Sequence, residues 1–312
     1  MIQFLKHNEI DKSKWDACVN NSINGNIYAY SWYLDIVCEG WNALIEDDYI
    51  SIFPLTAYNK IGIQSIYTPF FTQQLGLFSI NTITEDNLNA FIQSIPKYYK
   101  SVELNLNINN ALDNKQFKIS NNLNHTLDLN ETYDKIKANY SDNLKRNIKK
   151  AIQATPIIVT DTKAEDIITI FKHNKGKDIN HLKEADYYRL TLLINKCIEK
   201  GVAKVYGVTS DNELCAGAVF IKTDNRIIFL FSATNNKAKE IFAMPYLIDK
   251  IIHDNSETNY TFDFEGSNDK NLARFYKSFG SKEEYYPTIY INKLSFIMNI
   301  GIYFYKKAKK YL

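Results

Sequence analysis

Two carboxylates stand two residues apart in the apolar stretch Thr261-Phe262-Asp263-Phe264-Glu265-Gly266. On a strand that spacing turns Asp263 and Glu265 to one side and Phe262 and Phe264 to the other. The pair can hold an ammonium group or, once burial raises a carboxyl pKa, take its proton. Upstream, Ser232, Thr234, Asn235, Lys237 and Lys239 fall between a predicted strand and a predicted helix. Hydroxyls, an amide and two ammonium groups at the start of a helix suit an anionic group. A carboxylate pair for an amine beside a seat for an anionic donor is the layout of an acyl-transfer site. Backbone N–H groups near Phe231 and Ser232 are the expected oxyanion donors.

Two further groups invite chemistry. Lys145, Arg146, Lys149 and Lys150 form a basic run suited to tRNA phosphates or a lipid-linked pyrophosphate, or else a solvated helix face. Tyr67, Gln73 and Gln74 lie in or beside a strand-to-helix loop that can line an acceptor pocket, or else its aromatics Phe70 and Phe71 are simply core. The five histidines, His7, His125, His173, His181 and His253, never fall at i, i+4, so no metal site is expected. Neither a G-x-S-x-G elbow nor a G-x-x-x-x-G-K-[ST] loop occurs, which argues against a serine hydrolase or a P-loop NTPase.

The elements that must position these residues follow from apolar periodicity. In the first half we expect helices over Ser13 to Val19, Ser31 to Cys38 and Glu85 to Tyr99. Strands are expected at Trp41 to Glu46, Tyr49 to Ala57, Ile63 to Pro69, Val102 to Asn107, Phe117 to Ile119 and His125 to Leu129. In the second half, Thr162-Lys163-Ala164-Glu165 reads as a capping box, followed by a long helix ending at Gly201. Strands at Ala203 to Thr209, Leu214 to Thr223 and Arg226 to Ser232 precede a helix with Pro245 in its first turn. Between the halves, Tyr133 to Ile152 keeps a helical spacing, with Ser141-Asp142 able to cap a fresh helix. Both halves repeat one element order, which predicts an internal structural repeat.

At 312 residues the chain exceeds a single core, and 45% hydrophobic with 14% aromatic residues excludes a disordered chain. A formal charge of +2 gives no general attraction to polyanions, so any such partner needs a local patch. Cys18, Cys38, Cys197 and Cys215 show no CxxC spacing, which fits a reduced, cytoplasmic setting. No run of 18 apolar residues occurs, and the N-terminus lacks a signal-peptide pattern. The tail from Leu294 is apolar and then basic, as in a helix that docks on the fold or contacts an anionic membrane surface.

The repeated order resembles tandem GNAT-type acyltransferase units, and the pair resembles the Fem-type peptidoglycan bridge aminoacyltransferases. The likeness is carried by Leu144 to Ala151, by Thr261 to Gly266, and by Leu272-Ala273-Arg274-Phe275-Tyr276-Lys277-Ser278-Phe279-Gly280. It implies an α+β fold of two GNAT-like mixed-sheet units with helices on both faces. The expected divisions are 1–130, a basic helical connector 131–155, a second unit 156–293, and a C-terminal helix 294–312. It also implies an N-acyltransferase whose donor is an acyl-CoA or an aminoacyl-tRNA and whose acceptor is an amine, borne on a cell-wall or polysaccharide precursor. An acyl-CoA-dependent enzyme for an amino sugar or lipid precursor, or a non-catalytic binding relative, stays open beside it. Where the family carries a Phe-Lys pair that holds the donor, this chain reads Phe275-Tyr276 with Lys277 one step later, so Tyr276 and Lys277 join the donor residues. The acyl-CoA enzymes wrap pyrophosphate with a glycine-bearing loop; here Ala233 to Glu240 holds no glycine.

Overall fold

The computed structural model describes residues 1–60, 62–112, 117–160, 162–179, 182–266 and 268–295. His181 and the tail from Phe296 onward lie outside them. The chain divides into two compact units, one of Met1–Asn121 with the segment from Tyr286, the other Asn122–Tyr285.

The first unit contains β1 (Ile2–Leu5), α1 (Lys12–Asn21), α2 (Ser31–Val37), β2 (Asn42–Glu46), β3 (Ser51–Leu55), β4 (Ala57–Lys60), β5 (Ile63–Tyr67), β6 (Phe78–Ser79), α3 (Glu85–Gln93) and β7 (Tyr99–Asn105). Strands β1-β2-β3-β6 make one antiparallel sheet. In a second, β4 pairs antiparallel with β5, and β5 runs parallel to β7. Asp11 caps α1 by accepting from the Ser13 and Lys14 amides, satisfying two orphan donors. Fully buried Trp15 and Trp41, 4.7 Å between rings, anchor the core with Tyr33, Phe53, Phe78 and Phe91. Two expectations shorten. Tyr49 to Ala57 is not one strand, since β3 and β4 belong to different sheets and Thr56 lies between them. The helix from Glu85 stops at Gln93 rather than Tyr99, because Ser94 closes it and Pro96 cannot continue it.

The chain leaves this unit within β8 (Lys118–Asp128), a single strand where two had been expected. Then follow α4 (Tyr133–Ala138), α5 (Asp142–Gln153), β9 (Ile157–Val159), α6 (Ala164–His173), α7 (Glu184–Glu199), β10 (Ala203–Ser210), β11 (Glu213–Lys222), β12 (Arg226–Thr234), α8 (Asn236–Glu240), α9 (Ala243–Asp254), β13 (Thr261–Gly266) and α10 (Lys270–Lys277). The last strand, β14 (Lys282–Asn292), returns the chain to the first unit, where its final residues pair with β7. In the second unit the strand order is β8-β13-β12-β11-β10-β9, antiparallel except for the parallel pair β12 and β13.

Strand β11 explains the layering of that unit. Cys215 to Ile221 are all buried, the continuous apolar run of a strand covered on both faces. Ala216, Ala218 and Phe220 join a core with Ile136, Tyr140, Leu144 and Ile148, with Leu247 and Ile251 of α9, and with Phe262, Phe264 and Phe279. On the other face Gly217 lies under Ile167 of α6, where a Cβ would come within 1.9 Å of Ile167 Cδ1. The capping box expected at Thr162 is absent. The N-cap of α6 is Lys163, without a side-chain bond, and the buried Thr162 hydroxyl packs instead over Gly207, 2.3 Å from where a Cβ would sit. Ser141, by contrast, caps α5 through the Leu144 amide.

Candidate functional site

The site begins where β12 and β13 part. They pair only from Arg226 to Ile228 against Thr261 to Asp263. Both strands carry an irregularity there. Against β11, the register of β12 slips so that Leu230 has no opposite residue. Against β8, β13 slips between Asp263 and Gly266, with Glu265 at φ 67°. Bulges bend a strand and strengthen its twist, so the parallel pair splays past Ile228. From Phe229 onward β12 has no ladder partner on the β13 side among the described residues, which leaves backbone groups open at the expected oxyanion position.

The bulge also corrects the carboxylate pair. The two-residue alternation that would turn Asp263 and Glu265 to one side does not survive a residue in the left-handed region. Asp263 is 3% exposed and fully engaged. Its Oδ2 meets Arg226 Nη1 at 2.6 Å, and its Oδ1 accepts from Asn124 Nδ2 at 3.0 Å and from the Glu265 amide at 2.9 Å. It therefore ties β12, β8 and the bulge together. Glu265 is half-buried at the strand outlet. Tyr276 is 7% exposed, its ring 5.0 Å from Phe264 and 6.4 Å from Phe229, so it lies in the core beneath the splay. Burial, and then the nearby Glu265 charge, push its phenol pKa upward and keep it neutral.

The loop between β12 and α8 is closed on itself. Ser232 and Thr234 pair with Ala218 and Ala216. The Asn235 amide donates to Cys215 O, and its side chain accepts from the Ala238 amide at 2.9 Å. Lys237 pairs with Asp211 at 3.1 Å, and Lys239 is exposed. One first-turn N–H of α8, that of Ala238, is thus already satisfied by the chain's own cap. Helix α9 differs: its N-cap Phe242, at φ 56°, offers no side-chain cap.

Next to that helix start is a cleft of about 630 Å³, lined by Ser141, Asn143, Leu144 and Asn147 of the α5 start, Pro245 of α9, and Asn271, Arg274, Phe275, Lys277 and Ser278. Lys277 pairs with Glu283 at 3.0 Å, whereas Arg274 is exposed and makes no ion pair among the described residues. Along α5, Lys145 donates to Ala138 O at 2.8 Å, which removes it from the patch. Arg146 and Lys149 stay exposed, and Lys150 lies 5.7 Å over the Phe242 ring. Asn143 and Asn147, at i and i+4, with Arg274, were not singled out from sequence, and Phe275 was met only through the family's Phe-Lys pair; the signal of the two asparagines is polar positions flanking the apolar Leu144–Ile148 stripe, legible only once α10 is known to face it.

The expected acceptor residues sit in the first unit and build a loop there. Gln73 and Gln74 are buried and bonded to each other, and Gln74 Oε1 accepts from the Ile108 amide at 3.0 Å. Tyr67 stacks edge-on against Tyr58, 4.9 Å between rings. No helix among the described residues is long and apolar enough to cross a membrane.

No family model and no curated protein matches the sequence. Solved structures do. The chain is similar to FemX with TM-score 0.66 at 12% identity, over 93% of this chain and 98% of that one. A conserved protein of unknown function from Bacteroides thetaiotaomicron gives TM-score 0.63 at 10% identity over 94% and 100%. L-PGS from Bacillus licheniformis gives 0.57 at 11% identity over 93% and 94%. The fold is therefore an α+β fold of mixed sheets and helices shared with FemX and L-PGS.

Proposed function

We propose that this protein is an N-acyltransferase that moves an activated aminoacyl group from a nucleic-acid carrier to an amine. The observation that carries the reading is the splayed pair β12/β13, with an open strand edge on one side and Glu265 at the outlet of the other. A Fem-type fold shared with FemX and L-PGS supports the transferase class.

The steps balance without any other reagent. Glu265 takes a proton from the acceptor ammonium, and the freed amine attacks the ester carbonyl. The oxyanion is met by N–H groups of β12 around Leu230 and Phe231; as it collapses the C–O bond breaks, the departing oxygen takes the proton of the neutral Tyr276 phenol, and the new amide nitrogen gives up its extra proton to the phenolate so formed. Asp263, locked by Arg226 and Asn124, shapes the bulge rather than moving protons.

The closed α8 cap argues for an aminoacyl carrier over coenzyme A. The cleft beside the uncapped start of α9 joins cationic Arg274, the aromatic face of Phe275 and amides for base edges, the combination that holds a single-stranded nucleotide end. Arg146, Lys149 and Lys150 extend it as phosphate contacts. The acceptor class we favour is an amine on a cell-wall or polysaccharide precursor.

Calorimetry with coenzyme A, acetyl-CoA and a tRNA pool at two salt concentrations tests this. Salt-sensitive tRNA binding that weakens in Arg274→Ala, with no thioester binding, is expected. Thioester binding lost in Lys237→Ala would overturn it.

A further inference from the structure

The second unit buries one carboxylate that the chemistry does not use. Asp249, in the middle of α9, is 7% exposed, in a helix whose Leu247, Ile248 and Ile252 are also buried. No lysine or arginine pairs with it among the described residues. Its partners are phenols: Tyr133 Oη stands 2.9 Å from both carboxylate oxygens. Tyr140 turns a buried hydroxyl toward the same charge without completing a hydrogen bond. The other groups that face it are Lys137 on α4, which also lies 5.0 Å over the Tyr133 ring, and His253, one turn further along α9.

We infer that Asp249 is the positioning residue of the cleft between α5, α9 and α10, holding the first turn of α9 in register with the other two walls. The inference rests on the reading of that cleft as the donor seat. Pro245, which lines the cleft, is four residues before Asp249 and so lies on the same face of α9, one turn above it. The two phenols belong to the segment that leads into α5. Tyr140 directly precedes Ser141, the N-cap of α5 and itself part of the cleft wall. The Tyr140 ring packs 5.4 Å from Phe279, and the Ser141 amide donates to Ser278 O at 2.8 Å, which joins the same corner to the end of α10. All three walls therefore meet at the Tyr140–Ser141 corner, which follows α4 and its Asp249-bonded Tyr133 in the chain.

The charge is not there for stability. Burial pushes the Asp249 pKa up, against the smaller lowering by Tyr133, Lys137, Tyr140 and His253. A carboxyl raised on folding binds its proton more tightly in the folded state. Its stability contribution is then best at low pH and falls as pH climbs from the ordinary carboxylate range through the raised value. An amide of the same shape escapes that cost. What the amide lacks is the second acceptor oxygen, since Tyr133 Oη stands within hydrogen-bond distance of both carboxylate oxygens.

The test compares wild type, Asp249→Asn and Tyr133→Phe by thermal melting at pH 5 and 8, by amide exchange at Tyr246, whose N–H closes the first α9 turn on Phe242 O, and by titration with an uncharged tRNA pool. Positioning predicts that Asp249→Asn melts at or above wild type at pH 8, yet exchanges the Tyr246 amide and loses tRNA affinity by about tenfold each. Tyr133→Phe should share both changes. Wild-type exchange at Tyr246 in both variants overturns the inference, as does a drop in melting temperature that alone accounts for the exchange. Should Asp249→Asn fail to fold, the Tyr133→Phe exchange decides. Faster exchange in the variants with no tRNA binding by wild type keeps the positioning role and removes the donor reading instead.

Discussion

Removing Arg226 should show what the Arg226–Asp263 pair does. Asp263 has a side chain 5% exposed, whereas Arg226 is 31% exposed. Truncating one partner of a buried pair costs about 3–5 kcal/mol, because the other charge is left uncompensated. Here Asp263 keeps its bonds from Asn124 and from the Glu265 amide, and the Arg226 side chain is 31% exposed, so about 2–3 kcal/mol is the expected cost of Arg226→Met. Replacing both partners, as Arg226→Met with Asp263→Asn, should recover a large part of that loss, since no buried charge remains. Urea unfolding of the wild type, both single variants and the double variant measures the coupling, expected above about 1.5 kcal/mol. Singles that simply add, with coupling under about 0.5 kcal/mol, would refute the argument that this pair anchors the mouth of the splay.

Glycine positions give two sharper tests. Gly280 sits at φ 76° and an added Cβ would stand 2.9 Å from Asn139 Cβ, so Gly280→Ala should cost about 1–3 kcal/mol and loosen α10 from α4, read as a lower urea midpoint. Gly217→Ala collides with Ile167 Cδ1 and should destabilise by about 1–3 kcal/mol; adding Ile167→Val, which deletes that atom, should restore part of it, and an unrescued double variant would point to the Tyr206 carbonyl instead, 2.9 Å away.

Local signals made much of this legible. Ser141 precedes the apolar stripe of α5 as an N-cap should, and the structure finds its hydroxyl on the Leu144 amide. Pro245 lies in the first turn of α9, where a missing N–H is harmless. What failed depended on partners far away in sequence. Alternation put Asp263 and Glu265 on one side, but the bulge between them exists because β13 must pair with β8 and Asp263 must meet Arg226 and Asn124. Thr162 had the composition of a cap and lost that role to packing over Gly207. Gln73 and Gln74 looked available because no local pattern reveals that a loop is buried and bonded within itself. Asp249 carried no signal at all, since nothing in the local pattern of α9 marks it and the two tyrosines that face it lie more than 100 residues earlier.

The central claim is transfer at the splay with Glu265 as the base. The direct measurement is protein-dependent movement of labelled amino acid from a charged tRNA pool to amine acceptors in a cell-wall precursor extract, for wild type and Glu265→Gln. We expect transfer by the wild type, a fall of at least about a hundredfold in the variant with unchanged melting, and partial recovery at high pH, where the acceptor amine sheds its own proton. Undiminished transfer by Glu265→Gln, or transfer from acetyl-CoA and none from tRNA, would contradict it.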